Sequence, residues 1–382
     1  QKTAYEIMPS LVGSEMCIRD RVMLSFMIAT GFLSMWTSNN STTLMMLPIG
    51  LAIIAREKEM GADTKRFAPA LMLSIAYSAS IGGTGTLVGT PPNLVFVSTA
   101  QELLPNSPDI LFTDWLKIGI PFVVLFLPIA WIYIIKFFKV SGDLKGSSHV
   151  IKQEYIALGN MSLAERKVLV IVILYAFGFI FRDNWSSFLG VSNFVKDSTV
   201  AFFAAVVLFS LSSGRKNKEG RIERLLEWED AKDIPWAIAM LIGGGLAIAS
   251  AFKSSGLVEW IGANLILNDI PVFLIIIAVV TAMVFLTEIN SNTAITAVFL
   301  PLLAGVSEAG NFHPFLLMVP ATIAASCAFM LPSGTGPNAS VLASGQLSIP
   351  QMARAGLGLN IIAIIFIFLL FYFILFPFIG VT

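Results

Sequence analysis

The chain has 382 residues, 56% of them hydrophobic and 13% charged, with no net charge and a mean hydropathy of +0.82. Soluble domains are roughly 45–50% apolar and about 25% charged, so this composition excludes a soluble globular chain and points to a polytopic membrane protein. Neutrality, without any basic segment interleaved with aromatics, excludes a nucleic-acid partner.

Residues 1–21 contain no sustained apolar run and lack the ordered regions of a signal peptide. Their string YEIMPSLVGSEMCIRDR resembles translated sequencing-adapter read-through, so 1–21 is set aside as a non-native segment. Two apolar arms follow, Val22 to Trp36 and Leu44 to Ala55, separated by the polar stretch Thr37 to Thr43. Neither reaches the ~20 residues that cross a bilayer. Residues 22–55 are therefore expected to form a re-entrant helical hairpin with its tip at Ser38 to Ser41. A broken helix is expected over 67–104, entering as Phe67 to Ala79 and unwinding through SIGGTGTLVGTPP (Ser80 to Pro92) before resuming at Asn93. A long span over 119–140 completes a first repeat, 22–140, and 141–166 is a connector.

The second repeat, 167–382, opens with spans 167–181, 199–211 and 235–252. The last of these carries Gly243, Gly244 and Gly245, which are expected to admit another backbone. An amphipathic stretch, Ser254 to Leu267, reads as interfacial. A second hairpin, 271–306, has its tip in TEINSNT (Thr287 to Thr293), a second broken helix occupies 314–347, unwinding over Leu331 to Pro337, and a final span covers 355–379. WTSNNSTTLMML (Trp36 to Leu47) and TEINSNTAITAVFL (Thr287 to Leu300) are two copies of one device, followed downstream by GTLVGTPPN (Gly85 to Asn93) and PSGTGPN (Pro332 to Asn338). Such paired breaks are the sequence pointer to a midplane binding site in a secondary transporter.

If the first hairpin enters from the cytoplasm, 17 Lys and Arg fall on cytoplasmic segments and only Lys117, Arg182, Lys196 and Lys253 on the other side, the remainder lying in 1–21. That satisfies the positive-inside rule, and the parity makes the repeats inverted. By repeat symmetry, roughly 90–110 residues and about three helices are expected to precede the first hairpin in the complete protein.

Helix breaks in apolar surroundings leave backbone amides that cost several kcal/mol each unless protein or water satisfies them. Ser, Asn and Thr at such breaks offer oxygens to a hard cation, while helix N-termini and amides suit an anion. Asn39, Asn292, Thr293 and the amides after Pro92 and Pro337 are candidates for both tasks. None of the four polar motifs contains Lys or Arg, so a bound anion needs helix dipoles and co-bound cations. Glu288 beside the second tip is an intramembrane carboxylate and a candidate for orienting or gating. His149 and His313 read as solvated loop residues. Cys17 and Cys327 imply neither a disulfide framework nor a metal knuckle.

With these motifs in hand, the chain from about Val22 onward resembles the divalent anion/sodium symporter family, which carries dicarboxylates, tricarboxylates or sulfate. The resemblance rests on Ser291 to Thr293, Ser38 to Asn40, GTPPN at Gly89 to Asn93 and SCAFMLPSGTGPN at Ser326 to Asn338. It implies an all-α membrane fold of inverted repeats, and one sodium site on Ser34, Ser38, Asn39 and the Gly89 carbonyl. A second sodium site falls on Thr287, the Asn290 carbonyl, Asn292 and the Gly334 carbonyl. Substrate contacts carry onto Asn39, Thr90, Asn292, Thr293, Thr335 and Pro337, with Asn40 beside them. Two positions depart from the family pattern, Asn40 standing for a threonine and Gly336 for a proline.

The reading is a non-enzymatic, sodium-coupled transporter of a small divalent anion, C4-dicarboxylate first and sulfate second, moving in an elevator-like manner. It is expected in a bacterial inner membrane, as a homodimer when full length. The alternative is sodium-independent dicarboxylate exchange on the same fold. An intramembrane enzyme is disfavoured because HExxH, GxSxG and Walker A motifs are missing, and an ion channel ranks below transport.

Overall fold

The computed structural model describes residues 18–104, 110–141, 159–192, 194–216, 222–232, 236–257 and 270–375, with Ile156, Gly220 and Trp260. His149, Cys17, Pro105 to Asp109, most of the 141–166 connector and most of the amphipathic stretch 254–267 lie outside these residues, as does the tail of the last span.

The described chain is largely helical, as an apolar sequence that must satisfy its own backbone requires. It divides into two units, one formed by residues 1–109, 115–150 and 238–382, the other by 110–114 and 151–237. The larger unit opens with α1 (Ile18–Ser34) and α2 (Asn39–Glu59). Residues 18–21 are thus helical, and Arg19 pairs with Glu57 at 3.4 Å. α2 also runs beyond Ala55 into the charged segment, because Arg56 and Lys58 in its last turn complement the helix dipole.

α3 (Phe67–Gly83) and α4 (Pro91–Leu103) are the two parts of the first broken helix. α3 continues four residues past Ala79, and α4 restarts at Pro91, two residues before the expected Asn93, since proline at a first helical position costs no hydrogen bond. α5 (Phe112–Phe138) follows. The second broken helix is α13 (Phe315–Ala325) and α14 (Gly336–Ala343); α13 stops five residues before Met330, ahead of the unwinding expected from Leu331, and leaves a longer break. Between them in chain order stand α11 (Val272–Ile289) and α12 (Asn292–Ala309), separated only by Asn290 and Ser291, a shorter tip than Thr287 to Thr293. α15 (Ile349–Leu369), capped by a Ser348–Gln351 box, ends in a π-helical turn, Leu370–Leu375.

Every residue of α3 is buried, and so are Leu316 to Ala325 of α13. Helices apolar all round are the ones a core encloses. Tyr77 of α3 ties the two broken helices together, donating from its hydroxyl to the Phe329 carbonyl at 2.8 Å and packing on the Phe329 ring at 4.9 Å. The halves interlock: α14 packs on α2 and α3, while α4 packs on α12 and α13.

α10 (Trp236–Ser254) closes this unit. Of its three glycines, Gly243 and Gly244 face open space, and at Gly245 alone an added Cβ would meet a neighbour, the Ala297 Cβ at 2.6 Å.

The smaller unit holds α6 (Leu163–Ile180), α7 (Arg182–Phe188), α8 (Asp197–Ser210), a hairpin of β1 (Ser212–Lys216) and β2 (Ile222–Arg224), and α9 (Trp228–Lys232). The hairpin follows the expected span 199–211, and Gly220 with φ +78° allows the chain to turn back. Ser162 and Glu165 start α6 with a capping box, and Arg182 pairs with Asp197 at 2.6 Å. Three helices among the described residues are long and apolar enough to cross a membrane: Phe112–Phe138, Val272–Ile289 and Ile349–Phe373.

Candidate functional site

At the first tip, Ser38 caps α2 by accepting from the Ser41 amide at 3.2 Å. The cap turns the next residue, Asn39, back towards the end of α1 and the first break. The inward atom of its side-chain amide lies 2.8 Å from Ser34 Oγ, 3.2 Å from the Ala79 carbonyl and 3.3 Å from the Gly89 carbonyl. With its nitrogen inward the amide donates to all three of these oxygens, and turned the other way its oxygen would join them as a set of four that a hard cation would satisfy. Ser34, Asn39 and Gly89, three of the four residues that the resemblance assigns to one sodium site, thus lie together. Ala79 joins them, unread from sequence because a mid-helix alanine advertises no ligand. Ser38 bonds only within its own turn, also meeting Ser41 Oγ at 2.8 Å.

The second tip repeats the plan. Asn292 begins α12, and its Oδ1 is buried without a hydrogen-bond partner. Thr287 is fully buried in the last turn of α11, its hydroxyl donating to the Val284 carbonyl at 3.1 Å. Asn290 caps α11, and its side-chain oxygen accepts from the Ser291 amide at 2.8 Å. Gly334 presses against this tip: a Cβ there would stand 2.8 Å from the Thr287 carbonyl oxygen. In the first half a Cβ on Gly89 would stand 2.8 Å from the Ser34 carbonyl oxygen.

The breaks match as closely. Asn93 Nδ2 donates to the carbonyls of Gly83 (3.3 Å) and Thr86 (2.7 Å). Asn338 Nδ2 donates to those of Ala328 (3.1 Å) and Leu331 (3.0 Å). Thr90 and Thr335, which cap the resumed helices, have φ, ψ of −145°, 141° and −150°, 144°. Thr90, Thr293 and Pro337 are buried, Asn39, Asn292 and Thr335 half-buried, and Asn40 exposed. Asn40 sits against Gly336, where an added Cβ would meet its side-chain oxygen at 1.8 Å. The first tip therefore touches both breaks.

One feature has no counterpart in the first half. Glu288, 2% exposed, accepts from the amides of Phe329 (2.7 Å), Met330 (2.8 Å) and Leu331 (2.9 Å), and from Asn360 Nδ2 (2.7 Å). The three amides are backbone donors freed when α13 stops early, each costly if left unpaired in apolar surroundings. Glu288 thus fixes the second break to the second tip and to α15. At the equivalent place the first half has Met35, whose carbonyl accepts from Thr86 Oγ1 at 2.5 Å, while Thr86 Oγ1 accepts from the Gly89 amide at 3.2 Å. A hydroxyl stitches each break to its tip, Ser333 Oγ donating to the Glu288 carbonyl at 3.0 Å in the second half, where the carboxylate adds its own bonds. Asn360 was missed in the sequence, an isolated polar residue in an apolar helix being the only signal it gave.

Residues 9–378 match the family described as the sodium:sulfate symporter transmembrane region. A sodium-dependent dicarboxylate transporter SdcS of Staphylococcus saprophyticus is 43% identical over 371 residues, covering 94% of this chain and 70% of the relative. The protein of the same name from Staphylococcus aureus strain NCTC 8325 is 40% identical over 370 residues, covering 94% and 69%.

Proposed function

The chain belongs to the sodium:sulfate symporter family and is an integral membrane transporter, and from this premise we propose that it couples sodium entry to uptake of a small divalent anion, a C4-dicarboxylate ahead of sulfate. The observation that carries the proposal is the pair of tips: Asn39 lies against Ser34 Oγ and the Ala79 and Gly89 carbonyls, and Asn292 holds a buried oxygen without a partner on a tip against which Gly334 packs. Sodium is held at the first tip by Ser34, Ser38, Asn39 and Gly89, and at the second by Thr287, Asn290, Asn292 and Gly334.

The anion lies between the tips, against Asn39, Asn40, Thr90, Asn292, Thr293, Thr335 and Pro337. The N-termini of α2, α4, α12 and α14 supply partial positive charge there. With no Lys or Arg in any of the four motifs, a dianion stays poorly neutralised until sodium binds, which is the physical basis of coupling. The two halves act as inverted repeats, each hairpin re-entering the membrane, and the hairpin-bearing part moves in an elevator-like manner against a scaffold within a homodimer in the cell membrane. The names of the staphylococcal relatives support trying dicarboxylate before sulfate.

Labelled succinate uptake into proteoliposomes carrying the full-length protein and no internal dicarboxylate tests the reading. An inward sodium gradient should drive accumulation. Uptake that needs internal dicarboxylate and ignores sodium would establish exchange instead.

A further inference from the structure

Within the Ser-Asn-X tips and the Thr-X-Pro-Asn breaks the two halves differ at one pair of positions, and the differences compensate. The first break reads Thr90-Pro91-Pro92-Asn93 and the second Thr335-Gly336-Pro337-Asn338. The first tip reads Ser38-Asn39-Asn40 and the second Ser291-Asn292-Thr293. Relative to Pro91, Gly336 has lost a ring. Relative to Thr293, Asn40 has gained an amide.

Gly336 gives its backbone no evident reason to be glycine. Its φ is not in the left-handed region, and it occupies the first position of α14, where proline is favoured. Thr335 before it has φ −150° and ψ 144°, extended as a residue preceding proline should be and within a few degrees of Thr90, which does precede proline. What forbids a side chain is Asn40: a Cβ on Gly336 would lie 1.8 Å from its Oδ1 and 2.4 Å from its Cγ and Nδ2. Space filled by a proline ring in one half is filled in the other by the amide of the opposing tip.

Resting on the transport reading above, we infer that Asn40 and Gly336 form one specificity-determining pair, in which glycine acts as a positioning residue that lets the Asn40 amide stand at the anion site. The amide presents two coplanar N–H donors where a hydroxyl presents one rotatable donor. A carboxylate oxygen accepts best in its own plane, which a donor of fixed direction can match, whereas a sulfate oxygen accepts about equally all round its S–O axis and gains less from a fixed donor. The pair therefore biases this site towards carboxylates.

A double-mutant cycle in the full-length protein tests this, reading succinate uptake, sulfate uptake and the thermal unfolding midpoint. Gly336→Pro alone should lower the midpoint and reduce succinate uptake about tenfold, the loss of one well-placed bond or more. Gly336→Ala should do the same more weakly. Asn40→Thr/Gly336→Pro should recover both the midpoint and uptake, with a succinate-to-sulfate preference lowered about fivefold or more relative to wild type. A packing role alone would restore the midpoint without moving that ratio. Gly336→Pro indistinguishable from wild type, a double variant no better than Gly336→Pro, or a rescued variant of unchanged preference would overturn the inference. Wild-type protein that takes up neither anion with sodium would sink the transport reading, and the unfolding cycle would still report whether the two residues are coupled.

Discussion

Asn338 makes in the second break the same two bonds that Asn93 makes in the first, to carbonyls ten and seven residues earlier in the chain. Both asparagines are fully buried, and both leave their side-chain oxygen without a partner. A helix that stops and restarts leaves carbonyls with no amide in register. Here a single side-chain NH2 takes two of them, so each break is held as a fixed turn.

Asn93→Leu and Asn338→Leu should each destabilise the protein by about 1–3 kcal/mol, because each strands buried carbonyls while nearly preserving volume. The two losses should be similar. Unfolding of the detergent-solubilised protein measures them, and a loss confined to one half would mean that the breaks are held by different means.

Glu288→Gln should be more damaging than the small change in shape suggests. The replacement NH2 would face amides that themselves donate, leaving at least one of Phe329, Met330 and Leu331 unpaired. Each orphaned donor costs about 1–3 kcal/mol. Asn360→Leu removes a single bond and should cost less, about 1 kcal/mol. An unfolding series that ranks Asn360→Leu above Glu288→Gln would show that the carboxylate does not hold the break.

Gly89→Ala and Gly334→Ala should impair transport by displacing the proposed cation ligands. The new methyl would stand 2.8 Å from the Ser34 carbonyl oxygen in one half and 2.8 Å from that of Thr287 in the other. Overpacking of this kind costs about 1–3 kcal/mol. Sodium half-saturation of uptake should rise in both variants, and a pure loss of substrate affinity at unchanged sodium dependence would argue against the carbonyls as ligands.

Much of this was legible in the sequence because the decisive signals were local. Ser38 and Ser291 stand at helix starts, and Pro92 and Pro337 sit just inside the resumed helices, so the tips and breaks announce themselves by capping and proline rules. The ends of α3 and α13 were less legible. α3 runs on through Ser80 to Gly83, and α13 stops at Ala325 although Cys327 to Met330 are apolar, because Glu288 captures the amides that would have continued the helix. No window of sequence near Phe329 contains Glu288. Likewise Gly336 reads as a missing proline until its neighbour Asn40, from the opposite end of the chain, is seen to occupy the space.

The sodium activation of succinate uptake in Asn39→Ala and Asn292→Ala tests the central claim most directly. Each variant removes a side-chain amide, at the first tip one set against Ser34 Oγ and the Ala79 and Gly89 carbonyls, at the second one whose oxygen is buried without a partner. Both should lose sodium-driven uptake in the full-length protein, while Asn39→Asp, which keeps an inward oxygen, should retain a sodium response. Wild-type sodium half-saturation in either alanine variant would contradict the assignment of the tips to the coupled cations.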